Sequence, residues 1–326
     1  MHGDVRNPAK AVLVKDDYEM YSHVRPLFRT VLQGDLVSKT FLFIGFSFED
    51  PNLEYVLGQM KALLGENTRS HYCFLEKIKK DDNESENDYI YREAKQGLQI
   101  NDLKRYGIQA VILDSYNEIT SILKDIERAC LLKNIFVSGS IASYQEPWDE
   151  GNVTKFSHQL GKNLVSKGYR LVSGFGLGVG PSLINGALEE IMCTKYKHID
   201  EYLCLRPFPQ IQSGEMSLPQ LWQSYREEMI GQAGITIFIF GDKKKEDTFV
   251  IADGMLKEFE IARKLGRIII PIASTERAAY QIYDTVCSDI SSYSYLSSHL
   301  DSLKRTVDID QLTDLICNIV DEQQII

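Results

Sequence analysis

The chain has 326 residues, 44% of them hydrophobic, and a formal net charge of -10, which supplies apolar material for two ordinary cores and two domains. Its acidic balance argues against broad contact with nucleic acid, whose phosphate backbone is held by lysine and arginine in excess. No segment approaches the roughly 18 to 20 uninterrupted apolar residues that cross a bilayer and no apolar signal core follows Met1, so a cytoplasmic protein off the membrane is expected, while six cysteines without a CxxC pair indicate neither a zinc site nor a disulfide framework.

Residues 11–14 (AVLV) and 41–45 (FLFIG) are apolar runs of strand length, and the amphipathic stretch 16–33 between them reads as helix. A loop from Gly45 to Asn52 then feeds the helical LEYVLGQMKALLG. Residues 71–75 and 110–113 read as further strands, with a polar helix between them that starts near DDNESENDYIYREAK. Residues 117–132 close the first half as an amphipathic helix, and the domain boundary is placed near residue 130. Beyond it, strand and helix patterns alternate: a glycine-rich unit, LCLRPFPQ, a helix near SYREEMIGQAG, the strand ITIFIF, a charged loop GDKKKEDTF, a helix through GMLKEFEIARKLG, and the strand RIIIPI. Such alternation predicts an α/β architecture, parallel sheets with helices on both faces. The tail from Glu276 is helical and amphipathic.

The stretch from Asn134 to Glu190 organises the second half. One apolar run (Ile135, Phe136, Val137) stops at Ser138-Gly139-Ser140. Another (Leu171, Val172) stops at Ser173-Gly174-Phe175-Gly176-Leu177-Gly178-Val179-Gly180, where Pro181 opens a helix pattern. Strands that end in glycine-bearing loops feeding helices bring backbone N–H groups, unshielded by Cβ atoms, to the positive end of a helix, which suits phosphate. A nucleotide or sugar phosphate is the expected ligand class. Glycines in these places also serve tight turns and close helix–strand packing.

After ITIFIF and Gly241, the next helix carries Gly254-Met255-Leu256-Lys257-Glu258. This resembles a degraded PGGxGTxxE motif of the LOG, or lysine-decarboxylase-like, phosphoribohydrolases. Phe240-Gly241-Asp242 stands in place of PGG and the loop is longer, which speaks against a working phosphoribohydrolase. With VSGSI (137–141) and SGFGLGVGPSLINGA (173–187), residues 133 to 326 resemble the SLOG superfamily of nucleotide-binding Rossmann-like domains. The first half resembles the C-terminal part of a sirtuin-like domain. His2-Gly3-Asp4 matches the HG motif that carries the catalytic base, and GFSFEDPN, with Gly45 and Ser47, matches the strand end that touches the ribose and phosphate of NAD. Deacetylating sirtuins carry a four-cysteine zinc module after HG, and no cysteine lies between His2 and Thr40, so deacetylation is not expected.

A zinc-free sirtuin-like domain followed by a SLOG domain resembles the NAD-hydrolysing effectors of the Thoeris anti-phage system. The resemblance implies two Rossmann-like parallel-sheet domains: the C-terminal part of a sirtuin-like NAD-hydrolase domain over 1–130, incomplete at its N-terminus because the GAGxS loop and catalytic asparagine of the family lie upstream, and a SLOG nucleotide-sensing domain over 131–326. It further implies NAD as substrate, a cyclic ADP-ribose isomer made by a TIR-domain partner as activating ligand, no metal, and a homo-oligomer of four subunits or more. The family's ligand-reading positions match Arg226, Lys243 and Glu258. Arg226 as a fork and Lys243 as a point charge would neutralise a pyrophosphate, and Glu258 would accept from ribose hydroxyls.

Blander roles compete for each residue. Arg226 follows Leu221, Trp222 and Tyr225 and can snorkel from a helix face. Lys243 opens a lysine triplet that suits a solvated loop. Glu258 and Glu260 cannot share a helix face, and the motif spacing favours Glu258. His2 stands where chain ends fray, against a role in deprotonating a ribose hydroxyl, and Ser47 or Asp50 suits the cap of the helix after Pro51. Beside the NAD-cleaving effector stand two further readings: a nucleotide-sensing module without catalysis, and a LOG-type hydrolase using Glu258 with Arg206 or Arg226. Residues 133–326 are expected to fold alone and the first half not. The 326-residue chain by itself is expected to bind the nucleotide signal without hydrolysing NAD.

Overall fold

In the computed structural model, which describes residues 6–7, 11–12, 14–46, 48, 50–65, 67, 69–212 and 214–324, the chain divides into two units, Met1–Leu123 and Lys124–Ile326. The amphipathic stretch near the start forms three helices rather than one: α1 (Lys15–Glu19), α2 (Tyr21–Val24) and α3 (Pro26–Ser38). Pro26 has no N–H to donate and pushes Arg25 out of the helical region, to φ -129° and ψ 49°. The strand expected over 11–14 is not formed among the described residues. Val14 instead gives its N–H to the Asp17 carboxylate and its carbonyl to the Asp17 N–H, so its backbone is used to start α1.

The rest of the first unit is β1 (Leu42–Phe43), α4 (Pro51–Leu64), β2 (His71–Glu76), α5 (Glu86–Arg105) and β3 (Ile108–Leu113). The strands make one parallel sheet in the order β1-β2-β3. Leu53, Leu57 and Met60 of α4 and Leu103 of α5 pack on Cys73, Leu75 and Ile108. Tyr72 and Val111, which alternate with those positions, are exposed. α5 begins behind Ser85, whose hydroxyl accepts the Asp88 N–H, so residues 81–84 at the start of the expected helix stay outside it. Helix α6 (Ile119–Leu132) carries the chain into the second unit.

That unit contains β4 (Asn134–Ser140), α7 (Glu150–Ser166), β5 (Arg170–Ser173), α8 (Gly180–Cys193), α9 (Ile199–Tyr202), β6 (Leu203–Leu205), α10 (Leu218–Gly231), β7 (Ile235–Phe240), β8 (Asp242–Lys245), β9 (Thr248–Ile251), α11 (Asp253–Lys264), β10 (Ile268–Pro271), α12 (Arg277–Ser288), α13 (Leu300–Arg305) and α14 (Ile309–Glu322). Five strands form a parallel sheet in the order β10-β7-β4-β5-β6. All six residues of β7 are buried, the pattern of a strand covered on both faces. The run GDKKKEDTF is a hairpin rather than a loop: β8 pairs antiparallel with β9, Lys243 opposite Val250. The β-branched and aromatic run Thr248-Phe249-Val250-Ile251 supplies the partner strand, and Glu246 takes the left-handed conformation at the turn (φ 54°). The chain leaves β4 toward β5 and β6, then returns to β7 on the other side of β4. The crevice at the carboxyl ends of β4 and β7 is therefore the topological switch point, the place where doubly wound sheets hold ligands. Among the described residues no helix is long and apolar enough to cross a membrane.

Candidate functional site

The switch point opens into a cleft of about 520 Å³. Ser138, Gly139 and Ser140 line it from the end of β4, and Gly174 and Gly176 from the loop after β5. Arg226 enters from α10, Lys243 from the β8–β9 hairpin, and Glu258 from α11. Residues separated by more than a hundred positions thus share one wall. Gly178 lies on the same loop but packs away, against Ile141 and the Tyr144 hydroxyl. Gly45 belongs to the first unit, past the end of β1 with φ +66°. His2 and Ser47 lie outside the described residues.

The loop glycines are accounted for by packing. A Cβ on Gly176 would stand 1.9 Å from the Gly139 carbonyl oxygen, and one on Gly139 would stand 2.6 Å from the Ile239 side chain. The loop after β5 is therefore pressed onto the end of β4, and only glycine permits that approach.

Glu258 forms the floor. It is only 7% exposed, with one carboxylate oxygen accepting the Ser138 hydroxyl at 2.6 Å and the other the Arg226 Nε–H at 3.3 Å. Burial pushes its carboxyl above the ordinary range, against the opposing pull of Ser138 and Arg226. A carboxyl whose folded pKa is raised holds its proton more tightly in the fold. Its contribution is fully present below its unfolded value near 4.5 and is lost as pH rises through the folded value. Glu258→Gln keeps one acceptor oxygen, replaces the other by an N–H donor, and cannot ionise. Its stability relative to the parent chain is therefore expected to improve between pH 5 and pH 8, measured by urea unfolding at each pH; a difference that stays constant or reverses would contradict this assignment.

Arg226 is held on three sides. Its Nε is on Glu258, its guanidinium lies over the Phe208 ring at 5.0 Å, and Nη2 comes within 2.8 Å of where a Cβ on residue 254 would be, so Gly254 makes room for it. Lys243 donates to Asp253 at the start of α11, and this contact holds the Asp253 carboxyl below its ordinary range. The cleft presents three cations, Arg226, Lys243 and Lys257, each beside a carboxylate, together with hydroxyl and backbone groups.

Sequence reasoning missed the ion pair beneath the hairpin. Asp242, 3% exposed, accepts from the Ala142 N–H at 2.6 Å, the Ser143 hydroxyl at 2.8 Å and Arg277 Nε at 2.7 Å. Arg277 also donates through Nη2 to the Ser143 carbonyl, and the Ser140 hydroxyl donates to the Asp242 carbonyl. One buried pair thereby fixes the loop after β4 to the base of the hairpin that carries Lys243. The only signal in the sequence is that Asp242 stands where the motif would have a glycine of PGG. Among the described residues, no group of three or more histidine, cysteine, aspartate or glutamate side chains is placed to hold a metal ion.

A five-stranded parallel sheet with a charged cleft at its switch point defines the second unit as a Rossmann-like, doubly wound domain. The chain belongs to the Sir2- and TIR-associating SLOG family, whose model matches residues 118–323. A model of the SIR2-like domain matches residues 1–100. The chain is 43% identical over 293 residues to the NAD(+) hydrolase ThsA of Bacillus cereus strain MSX-D12, covering 90% of this chain and 60% of that protein. It is 39% identical over 300 residues to the NAD(+) hydrolase ThsA of Cytobacillus dafuensis, covering 90% and 61%. With the Enterococcus faecium protein of the same name it shares 41% over 300 residues, covering 90% and 62%. The chain thus spans about three fifths of the length of the curated relatives it matches.

Proposed function

We propose that the chain acts in an NAD+-hydrolysing effector of the Thoeris anti-phage type, in which the SLOG unit is the sensor and the SIR2-like unit serves NAD cleavage. The sensor's ligand is a cyclic ADP-ribose isomer made by a TIR-domain partner, and the effector is a cytoplasmic homo-oligomer of four or more subunits. The observation that carries the reading is that Arg226 and Lys243 line one cleft at the switch point together with the strand-end residues Ser138, Gly139 and Ser140. Two such cations in one cleft suit a pyrophosphate, with arginine as a fork and lysine as a point charge. The family membership and the name its relatives carry support the assignment of NAD hydrolysis. On the NAD side, the reading assigns His2, Gly45 and Ser47 to the substrate by their motif.

The ligand must compete with Asp253 for Lys243, whereas Glu258 holds Arg226 only through Nε and leaves its Nη groups for phosphate oxygens. Arg226→Ala removes a charge-assisted contact worth about 1.5 to 3 kcal/mol, so affinity for the cyclic ADP-ribose isomers is expected to fall at least ten-fold. Lys243→Ala is expected to weaken binding less, because that lysine is half-exposed and its charge is screened. Calorimetric titration of both variants with each isomer is the test. Unchanged affinity in both would place the nucleotide site elsewhere.

A further inference from the structure

The cleft has a side that neither phosphate nor ribose explains. Pro219, Trp222 and Arg226 all line it from α10, at spacings of three and four that put them on one helix face. The Trp222 indole N–H donates to the Pro209 carbonyl at 2.7 Å, which fixes the ring to the segment after β6. That segment carries Phe208, also at the cleft. The Phe208 edge lies where a Cβ on Gly174 would stand only 2.9 Å away, so the second glycine loop makes room for an aromatic ring. Trp222 is half-buried. The chain's other tryptophan, Trp148, shows what a core tryptophan looks like here: 1% exposed, its N–H on the Ser274 carbonyl.

A phosphate-reading cleft needs cations and N–H groups, and a sugar adds hydroxyl partners. A phosphate has no use for an immobilised indole and a phenyl ring in the lining, whereas a nucleobase offers a large flat π-face that stacks on aromatic side chains. We propose that Trp222 and Phe208 form the wall on which the ligand's base stacks, so that the cleft selects a nucleotide over a sugar phosphate or a bare pyrophosphate. The inference rests on the reading of the cleft as the nucleotide site and adds the group that reads the base. Arg226 joins the two halves of the ligand: its guanidinium lies 5.0 Å from the centre of the Phe208 ring, and Glu258 engages only its Nε, leaving the Nη groups for phosphate oxygens.

With two tryptophans in the chain, fluorotryptophan labelling gives two fluorine resonances, and Trp222→Phe assigns them. AMP, ADP-ribose, cyclic ADP-ribose, ribose 5-phosphate and pyrophosphate are titrated in turn. The adenine-bearing compounds are expected to move the Trp222 line and leave the Trp148 line in place, while ribose 5-phosphate and pyrophosphate leave both. Losing one stacked base contact weakens affinity by about five- to 150-fold. Trp222→Ala is therefore expected to bind the adenine compounds at least about ten-fold more weakly, Trp222→Phe to stay within about three-fold of the parent chain, and pyrophosphate affinity to be the same in all three. Adenine-nucleotide binding that is lost in Arg226→Ala yet unaltered in Trp222→Ala, with a stationary Trp222 line, overturns the base wall and leaves the nucleotide site standing. If no adenine compound binds, or binding ignores Arg226→Ala, the reading of the cleft fails and the wall fails with it.

Discussion

Arg277→Ala is expected to destabilise the second unit by about 3 to 5 kcal/mol, the cost of leaving a buried carboxylate without its cation. The Arg277 and Asp242 side chains are 11% and 5% exposed, so the carboxylate stays poorly solvated without its partner, and a substantial part of a typical domain stability of about 5 to 15 kcal/mol is at stake. The charge then left at Asp242 keeps only the Ala142 N–H and the Ser143 hydroxyl. Two further variants separate charge from backbone. Asp242→Asn in the Arg277→Ala background removes the stranded charge but keeps an acceptor for Ala142, and part of the stability is expected to return. Arg277 also sits at φ +58°, a conformation costing a non-glycine residue about 1 to 2 kcal/mol. Arg277→Gly is therefore expected to be about 1 kcal/mol less damaging than Arg277→Ala. Trp148 donates to Ser274, three residues from the pair, so its fluorescence follows urea unfolding at this place. A loss under about 1 kcal/mol in Arg277→Ala, or a further loss on adding Asp242→Asn, would show that the pair does not carry the loop.

What the sequence made legible was whatever repeats locally. Continuous apolar runs identified β4, β7 and β10, because a strand buried on both faces has no polar alternation to hide it. The two glycine loops stood out by composition. Their role in pressing one loop on the other did not, since the contact of Gly176 with Gly139 joins residues 37 positions apart. The hairpin was concealed by its charges: Lys244, Lys245, Glu246 and Asp247 read as solvated loop, and only pairing with Thr248–Ile251 makes strands of it. The strand expected at 11–14 failed for the opposite reason, because apolar content there met a helix start that claimed the backbone of Val14. In the cleft, Arg226 and Glu258 were reachable through family resemblance. Ser138 on Glu258, Asp242 on Arg277 and Trp222 on Pro209 were not, because each is a tertiary contact that no local pattern announces.

Gly186→Val is the second large effect expected, and it tests how α8, which follows the second glycine loop, is seated. Helices α7 and α8 meet backbone to backbone. A Cβ on Gly186 would stand 1.8 Å from the His158 carbonyl oxygen and 2.7 Å from its carbon, and a Cβ on Gly161 would stand 2.0 Å from the Leu183 carbonyl oxygen. No rotamer change relieves a clash with backbone, so the helices must separate. Two effects oppose each other in the smaller change Gly186→Ala. Alanine improves helix propensity by about 1 kcal/mol, whereas overpacking of a close-packed contact costs about 1 to 3 kcal/mol and more when backbone must move. The contact is tight enough for the second to win, so Gly186→Ala is expected to lose about 2 kcal/mol and Gly186→Val more. Gly231 at the end of α10 has nothing within 4 Å of where a Cβ would stand, so Gly231→Ala is expected to be between neutral and about 1 kcal/mol more stable than the parent chain. Because α8 begins at Gly180, directly after the loop that brings Gly174 and Gly176 to the cleft, a displaced α8 also moves that loop. Urea unfolding of the three variants side by side decides it: Gly186→Ala as stable as Gly231→Ala would mean that the two helices have room to spare.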